Sequence, residues 1–223
     1  LSEQMEKTLD RGCEMVKELL SFARKSESRL LPTDLTADIR DTVNTVMPSL
    51  PENIRLRLGL KDCLPEVFAD VGQIDRVVTN LIVNARDAMP DGGILQVSTD
   101  LAYASLEPRD PAAAKRKAYV RVSVADTGIG MDEETRARMF EPFFTTKGSG
   151  LGTGLGLSVV CGLMENHHGF IDVQSKRGEG TTVSLFFPVM EEAGPAVDEA
   201  IKRESREMLG QDDPLPETPH TVN

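Results

Sequence analysis

The sequence lacks tryptophan, has only three cysteines among 223 residues, and has an aromatic content of only 4%. Cys13, Cys63 and Cys161 are odd in number and far apart, so they match neither a disulfide framework nor a zinc site. We therefore expect a reducing, cytoplasmic setting. No run of about eighteen apolar residues occurs, and the first residues are polar, so we expect neither a transmembrane helix nor a secretory signal peptide. Because the chain starts at Leu1 rather than Met, we also expect a fragment or a processed product.

Basic residues are outnumbered by acidic ones. There are 25 Lys and Arg against 36 Asp and Glu, which gives a net charge of -11 and a pI of about 4.8. This balance disfavours a basic surface for nucleic acid, so we expect no nucleic-acid partner. Residues 191–223 hold nine acids and three bases, hence -6 of that charge. A hydrophobic content of 39% and a mean hydropathy of -0.24 are typical of a soluble globular domain.

The apolar pattern changes twice along the chain. In the first thirty residues, apolar side chains recur at steps of three or four, which predicts a helix that packs either on its own domain or in a helical bundle. Residues 32–188 show mixed helical and strand periods, which indicates an α+β fold. After Pro188, prolines and acids dominate, which is typical of a linker. The stripe in the first helix consists of Leu1, Met5, Leu9, Cys13, Val16, Leu20 and Ala23.

Individual elements follow from the apolar period and from capping residues. Thr33 or Asp34 can cap a helix that ends near Met47. Pro90 and the glycines after it end a second helix, which begins at Val71. We expect the last two strands to form a hairpin. A third helix is predicted at 154–166, a short helical stretch within 127–153, and strands at 54–60, 95–99, 119–125, 170–175 and 182–187.

Alternating glycines lead into the third helix. They occupy every second position from Gly148 to Gly156. Glycines let the backbone approach a ligand, and a helix N-terminus presents unpaired N–H groups. The segment therefore indicates a phosphate site, with a flexible hinge as the alternative. Neither G-x-x-x-x-G-K-[ST] nor G-x-G-x-x-G occurs, which excludes a P-loop, a dinucleotide fingerprint and the glycine loop of Ser/Thr/Tyr kinases.

Three polar residues could recognise a nucleotide or a metal. Asp126 follows a predicted strand directly, and a carboxylate there can accept hydrogen bonds from an amine while nearby glycines admit a flat ring. Taken alone, the segment is also an ordinary Asp-Gly turn. Asn80 and Asn84 lie four residues apart on one face of the second helix. Their amide oxygens suit Mg²⁺ and phosphate, although two surface amides would give the same pattern.

Five segments together resemble the motifs of a known family, the ATP-binding catalytic domain of bacterial sensor histidine kinases, which is of the Bergerat or GHKL type. Their order along the chain is that of the family, and they cover about residues 33–189. The segments are 73–85 (similar to the N box), 126–130 (the first glycine box), 139–147 (the F box), 152–157 (the second glycine box) and 178–182 (the terminal glycine turn).

This resemblance implies a two-layer α/β sandwich in which helices cover one face of a mixed sheet, preceded by one long N-terminal helix. It also implies a site for ATP and Mg²⁺. Asn84 would coordinate the metal with support from Asn80, and Asp126 would bind the adenine amino group, with Gly128 and Gly130 under the ring. Many members carry a basic residue where this chain has Asp87, so the cation that contacts the phosphates is left open. The other implied nucleotide-binding residues are Arg86, Asp87, Lys147, Gly152, Thr153, Gly154, Leu155, Gly156, Leu157 and Thr181.

The resemblance also implies that the loop 131–153 is an ATP lid. The lid would be packed onto the domain by Phe140, Phe143 and Phe144.

The same resemblance divides the chain into three parts. Residues 1–31 would be part of a dimerisation and histidine-phosphotransfer hairpin, residues 32–190 the catalytic domain, and residues 191–223 an acidic tail or linker.

The phosphoacceptor histidine of the family has no match in this chain. The hairpin helix that carries it in the family does not occur here, and His167, His168 and His220 lack a following carboxylate. His168 matches a histidine that is often structural in the family. The implied partners are therefore a phosphoacceptor hairpin of the same or a partner subunit, a second copy in a homodimer of the full-length protein, and a response regulator receiver domain.

The leading interpretation is the catalytic part of a two-component histidine kinase. A GHKL ATPase is less favoured, because such enzymes place a water-activating Glu where this chain has Asn80, and an amide cannot act as that base. A protein-serine kinase and a non-catalytic nucleotide-sensing module stay open. The sequence does not specify the stimulus, the partner regulator or any membrane anchor of the parent protein.

Overall fold

The computed structural model describes residues 28–104, 117–148 and 152–190. Those up to Val189 belong to one compact unit, while Met190 begins a second unit that is otherwise outside the described residues. The predicted helix over residues 1–30 lies almost entirely outside them too, as does the acidic tail. Among the helices that are described, none combines the length and apolarity needed to cross a membrane.

The elements confirm the predicted α+β fold and place a mixed sheet at its centre. Each helix and strand predicted between residues 32 and 188 is present, with shifted ends, while two three-residue strands and a 3₁₀ turn at Met47–Ser49 were not predicted. Apart from the 3₁₀ turn, the elements in chain order are β1 Leu31–Thr33, α1 Leu35–Val46, β2 Ile54–Leu60, β3 Val67–Ala69, α2 Val71–Asp87, β4 Gly93–Ala104, β5 Lys117–Asp126, α3 Glu133–Arg138, α4 Gly156–Asn166, β6 Phe170–Lys176 and β7 Gly180–Pro188.

The main sheet has the strand order β2-β4-β5-β7-β6. Strand β2 runs parallel to β4, while every other neighbouring pair is antiparallel, so the sheet is mixed as expected. The predicted hairpin of the last two strands is the β6–β7 pair. Strand β5 pairs with β7 so that Asp126 lies opposite Thr181. The two short strands, β1 and β3, form a separate antiparallel pair.

One face of the sheet is covered by helices, and the other carries polar side chains together with an aromatic cluster of Tyr119, Phe170 and Phe186. Alternate β5 residues, Val120, Val122 and Val124, are buried on the helical side, because side chains alternate across a strand. Helix α2 contacts β4 and β5, and α4 contacts β6. On the opposite face the Arg121 guanidinium pairs with Asp100 at 2.5 Å. Each large aliphatic side chain that is fully buried contributes roughly 1.5–3 kcal/mol, so the layer between helices and sheet dominates stability.

Helix α2 owes its orientation to a regular stripe of apolar residues. All members of the stripe are buried, and they recur at steps of three or four, so the helix rests on one side. Asp70 caps its N-terminus by accepting a hydrogen bond from the Gln73 N–H at 3.2 Å. Asp34 caps α1 in the same way, which decides between the two predicted caps. The buried stripe of α2 consists of Ile74, Val77, Val78, Leu81, Ile82 and Ala85.

Two adjacent histidines after α4 have opposite environments. His167 is only 2% exposed. Its Nε2 accepts the Asp70 N–H at 3.1 Å, so the Nδ1–H donates to the Leu163 carbonyl at 2.7 Å. Burial lowers the pKa of His167, which keeps the ring neutral. His168 is exposed, with a φ of 54°. The structural role expected of His168 therefore belongs to His167, which has no free ring nitrogen for phosphorylation.

Candidate functional site

The carboxylate of Asp126 is fixed where β5 ends. One of its oxygens accepts the Gly128 N–H at 2.8 Å. The next residue is tied to β4, because the Ile94 N–H donates to the Thr127 hydroxyl at 3.0 Å. Burial raises the pKa of Asp126, while backbone N–H groups of Gly128 and Thr181 oppose that rise by stabilising the charged form. The side chain is therefore a partly desolvated acceptor with a defined direction.

The glycines beside Asp126 are required by contacts with the protein itself. A Cβ atom on Gly128 would lie 2.3 Å from the Ala88 carbonyl oxygen, just after α2. Gly130 has a φ of 60°, and a Cβ there would lie 2.0 Å from the Lys176 carbonyl oxygen. The Ile129 N–H donates to the Ala88 carbonyl at 2.9 Å. The turn is thus held between α2 and the β6–β7 hairpin, and the approach of these glycines to a ring stays a prediction.

The two asparagines of α2 lie against the beginning of α4. A Cβ on Gly156 would be 3.9 Å from the Asn80 Oδ1 and 4.0 Å from the Asn84 Nδ2. The Asn80 amide donates to the Gly156 carbonyl at 3.5 Å. Among the described residues no side chain caps α4, which begins at Gly156 rather than near Gly154. Both amides therefore face a helix N-terminus, where N–H groups without helical partners can bind an anion.

Two cations meet one carboxylate beside Asn84. The Lys147 Nζ lies 2.6 Å from the Asp87 Oδ2 and 3.5 Å from the Asn84 Oδ1. The Arg86 guanidinium donates twice to the Asp87 Oδ1, at 2.9 and 2.8 Å. Burial alone would raise the pKa of Asp87, but hydrogen bonds from Lys147 and Arg86 outweigh it and hold that pKa below its ordinary value. Asp87 is therefore a firmly ionised carboxylate.

The predicted lid is anchored through its backbone rather than through the Phe143 side chain. The Phe143 N–H donates to the Gly154 carbonyl at 3.0 Å. Gly154, with a φ of 68°, approaches so closely that a Cβ on it would lie 2.4 Å from the Phe143 carbonyl carbon. The Phe143 side chain is 62% exposed, so its expected packing role is wrong. Among the described residues of this segment Met139 is the buried one, and the Arg138 guanidinium lies 4.4 Å from the centre of the Phe144 ring.

Some of the remaining predicted nucleotide-binding residues hydrogen-bond within the site, and others pack against the hydrophobic core. The Thr153 hydroxyl accepts the Leu155 N–H at 3.3 Å, and Leu155 is itself buried. Leu157 packs against the hydrophobic core. The Thr181 hydroxyl lies 2.9 Å from the Ser175 hydroxyl. Leu155 can therefore offer a ligand only its backbone, whereas the side chain of Leu157 is partly buried. Residue 150, one of the alternating glycines, falls outside the described ranges.

Ser175 contributes to this region, although sequence reasoning did not identify it. Its hydroxyl accepts the Met131 N–H at 2.8 Å and donates to the Gly180 carbonyl at 3.0 Å. It thereby joins the turn after Asp126 to the β6–β7 hairpin. A serine near a strand end is too common to attract attention in a sequence, so no signal could have singled it out.

Comparison with known proteins gives a consistent result. Residues 69–191, more than half of the chain, match the family described as histidine kinase-, DNA gyrase B-, and HSP90-like ATPase. Sensor kinase CckA of Brucella abortus (strain 2308) is 37% identical over 203 residues. That match covers 89% of this chain but only 21% of the relative, so the chain spans about a fifth of that protein's length.

Solved structures agree with the sequence relatives. Full-length ShkA in complex with AMPPNP matches with a TM-score of 0.64 and 28% identity, covering 82% of this chain and 36% of ShkA. Histidine kinase ThkA in complex with the response regulator TrrA gives a TM-score of 0.64 and 25% identity, covering 83% of this chain and 49% of the matched chain. Together with the five motifs and the mixed sheet, these matches show that the chain belongs to the histidine kinase-, DNA gyrase B- and HSP90-like ATPase family and carries a catalytic ATP-binding domain of the sensor histidine kinase kind.

Proposed function

We propose that this domain binds Mg-ATP and transfers the γ-phosphoryl group to a histidine on a phosphoacceptor hairpin. One observation carries the proposal: helix α2 and the residue after it gather the predicted parts of the site. Asn80 and Asn84 face the N-terminus of α4, Asp87 holds Lys147, and Ala88 receives the turn that follows Asp126. The complex of ShkA with AMPPNP is consistent with such a nucleotide site.

Each element would have a separate task in nucleotide binding. The second oxygen of Asp126 would accept a hydrogen bond from the adenine amino group. Backbone N–H groups at the start of α4 would bind phosphate oxygens, and Lys147 and Arg86 would offset phosphate charge. Such transfer depends on positioning and charge neutralisation more than on covalent chemistry by the protein. Gly152, Gly154 and Gly156 would cradle the phosphates through their backbone N–H groups. The other residues that would bind the nucleotide are Thr153, Leu155, Leu157 and Thr181.

The residues present fit Mg²⁺ as a partner of the nucleotide rather than as a resident ion. No group of three His, Cys, Asp or Glu side chains able to hold a metal occurs in the described ranges. Mg²⁺ usually takes one or two protein ligands and completes its shell with phosphate and water oxygens, which suits the single amide of Asn84. The bound ion would supply positive charge against the phosphates, and Asn84 would orient it.

The partners and the domain boundaries follow the same proposal. We expect the catalytic domain to span residues 32–190, with residues 1–31 in a hairpin helix and residues 191–223 as a tail, in a cytoplasmic setting and a homodimer of the full-length protein. The phosphoacceptor would come from the same or a partner subunit. A response regulator receiver domain would take the phosphoryl group onward, a role supported by the complex of ThkA with TrrA.

Phosphoryl transfer in trans tests the proposal directly. The full chain is incubated with γ-labelled ATP and a separate hairpin that bears a phosphoacceptor histidine. We expect acid-labile, base-stable label on the hairpin and none on the chain, because none of its three histidines is followed by a carboxylate and His167 has both ring nitrogens engaged. Asn84→Ala is the negative control. Phosphate release without labelling would instead indicate an ATPase, acid-stable label a serine kinase, and ATP binding without either reaction a nucleotide-sensing module.

A further inference from the structure

The carboxylate of Asp87 lies beside the proposed phosphate site, where a negative charge is unexpected. Asp87 is negative, and a triphosphate would repel it. Both of its oxygens already accept hydrogen bonds, Oδ1 from Arg86 and Oδ2 from Lys147. Two cations and one carboxylate leave one net positive charge in the cluster. Asp87 is therefore poorly suited to contact a phosphate or a metal itself, although the family resemblance placed it among the nucleotide-binding residues.

The cluster determines where the Lys147 ammonium lies. Lys147 belongs to the F-box segment, 60 residues after Asp87, and its long side chain would otherwise sample many rotamers. The 2.6 Å ion pair holds its nitrogen on α2, close to the predicted metal ligand Asn84. The Asp87 side chain is 27% exposed and that of Lys147 34%, so the pair is partly shielded from water. Arg86 in turn fixes the Asp87 carboxylate through its other oxygen.

A second contact shows that the stem of Lys147 has a defined place. A Cβ on Gly152 would lie 2.8 Å from the Thr145 hydroxyl and 3.2 Å from the Lys147 Cδ. The Lys147 N–H donates to the same Thr145 hydroxyl at 3.2 Å. The chain therefore packs against Lys147 at Gly152, shortly before α4 begins. The ammonium has three donors, so one is left for an anion after those directed at Asp87 and Asn84.

We infer that Asp87 is a positioning residue that orients Lys147 toward the nucleotide phosphates and does not contact the nucleotide. This inference rests on the proposed Mg-ATP site. It identifies Lys147 as the cation of that site that is already oriented to bind a phosphate. Because the ammonium is ordered before the ligand arrives, binding does not have to order it. Lysine can keep its bond to Asp87 while donating to a phosphate oxygen, so the carboxylate stays in place during binding.

A double-mutant cycle tests this inference. Affinities for ATP and for adenosine are measured for the full chain and for its Asp87→Asn, Lys147→Gln and doubly substituted variants. We expect Asp87→Asn to weaken ATP binding about tenfold, because Lys147 is no longer ordered, and to leave adenosine binding unchanged. In the Lys147→Gln background the same substitution should cause no further loss. Asp87→Glu, which keeps the charge, should recover most of the ATP affinity.

A matched substitution controls for general effects of charge and folding. Asp100→Asn removes a carboxylate of the same type that pairs with Arg121 on the face of the sheet opposite the helices, and it should leave both affinities unchanged. An equal loss from Asp87→Asn in both Lys147 backgrounds would overturn the inference, as would tighter ATP binding in Asp87→Asn. Failure of the unsubstituted chain to bind ATP would refute the proposed site instead, so the two failures can be distinguished.

Discussion

The exchange of Asp126 for Asn isolates the proposed recognition of the base. An amide oxygen can still accept the Gly128 N–H, which donates to Asp126 at 2.8 Å, so the turn should keep its shape. The second oxygen, however, is replaced by an amide donor, which would face the amino group of adenine with no acceptor between them. A hydrogen bond to a charged group contributes roughly 1.5–3 kcal/mol, so we expect ATP affinity to fall about ten- to a hundredfold.

For guanine, we expect the opposite effect of Asp126→Asn on nucleotide affinity. Guanine has a carbonyl oxygen where adenine has its amino group, and the amide that Asp126→Asn introduces can donate to that oxygen. The preference for ATP over GTP should therefore narrow or reverse. Asp126→Ala, in contrast, should weaken both the base contact and the fold, because it leaves the Gly128 N–H without its acceptor.

Calorimetric titration with ATP and GTP measures this change of preference, and thermal unfolding of each variant checks the fold. Asp172→Asn, at an exposed position of β6, is the matched control and should change neither affinity. Equal losses for ATP and GTP in a folded Asp126→Asn variant would refute the adenine contact. Unchanged ATP affinity in that variant would do so as well.

Three further predictions concern the metal, a buried carboxylate and a glycine. Asn84→Ala should abolish the gain in ATP affinity that Mg²⁺ provides, while adenosine should still bind, because the base and metal contacts lie on separate elements. Titrations with and without Mg²⁺ measure this gain. Asp38 has a buried oxygen for which the described residues offer no hydrogen-bond partner, and burial, with nearby Asp75 and Asp41, raises its pKa from 3.8 to about 6. As the pH rises, the Asp38 carboxyl loses its proton in the unfolded chain before it does so in the folded protein. Asp38 therefore lowers the unfolding free energy increasingly as the pH rises from 3.8 to about 6. Asp38→Asn should therefore stabilise by about 1 kcal/mol in urea unfolding at neutral pH, after allowance for solvent screening of a half-buried group, and lose that advantage as the pH falls toward 3.8. Gly130→Ala should reduce the unfolding free energy by about 2–4 kcal/mol, because Gly130 has a positive φ and a new Cβ would clash with the Lys176 carbonyl oxygen. Gly162→Ala is the control: nothing lies within 4 Å of a new Cβ there, so it should be neutral or slightly stabilising in the same measurement.

The parts of the fold that the sequence predicted are those governed by local periodicity. Alternation located the strands, and the apolar stripe located α2, because each pattern repeats over several residues. Strands β1 and β3 have three residues each, too few to show a period. The start of α4 was also misplaced, since Gly154 adopts a positive φ that no helical residue has, and glycine permits this without any signal in the sequence.

Tertiary contacts distinguish neighbouring residues of the same type. His167 and His168 are adjacent and chemically identical, yet only His167 reaches the Asp70 N–H. Phe143 resembles its neighbour Phe144 in sequence, but its backbone conformation, with a φ of 67°, leaves its ring exposed. In both cases the outcome depends on backbone direction at a single residue, which neither composition nor period encodes.

The site and the core are nevertheless linked through the period of α2. Asn80, Asn84 and Asp87 follow one another at steps of four and three along the sequence, so they occupy one arc of the helix, and Ala88 comes directly after its last residue. That arc adjoins the buried stripe, and any rotation of α2 that exposed its apolar residues would also displace the predicted metal ligand, the carboxylate and the support of the turn after Asp126. The sequence could therefore predict that these residues share a face. It could not predict that Lys147, 60 residues later, pairs with Asp87, because the path of the intervening loops decides which charge arrives there.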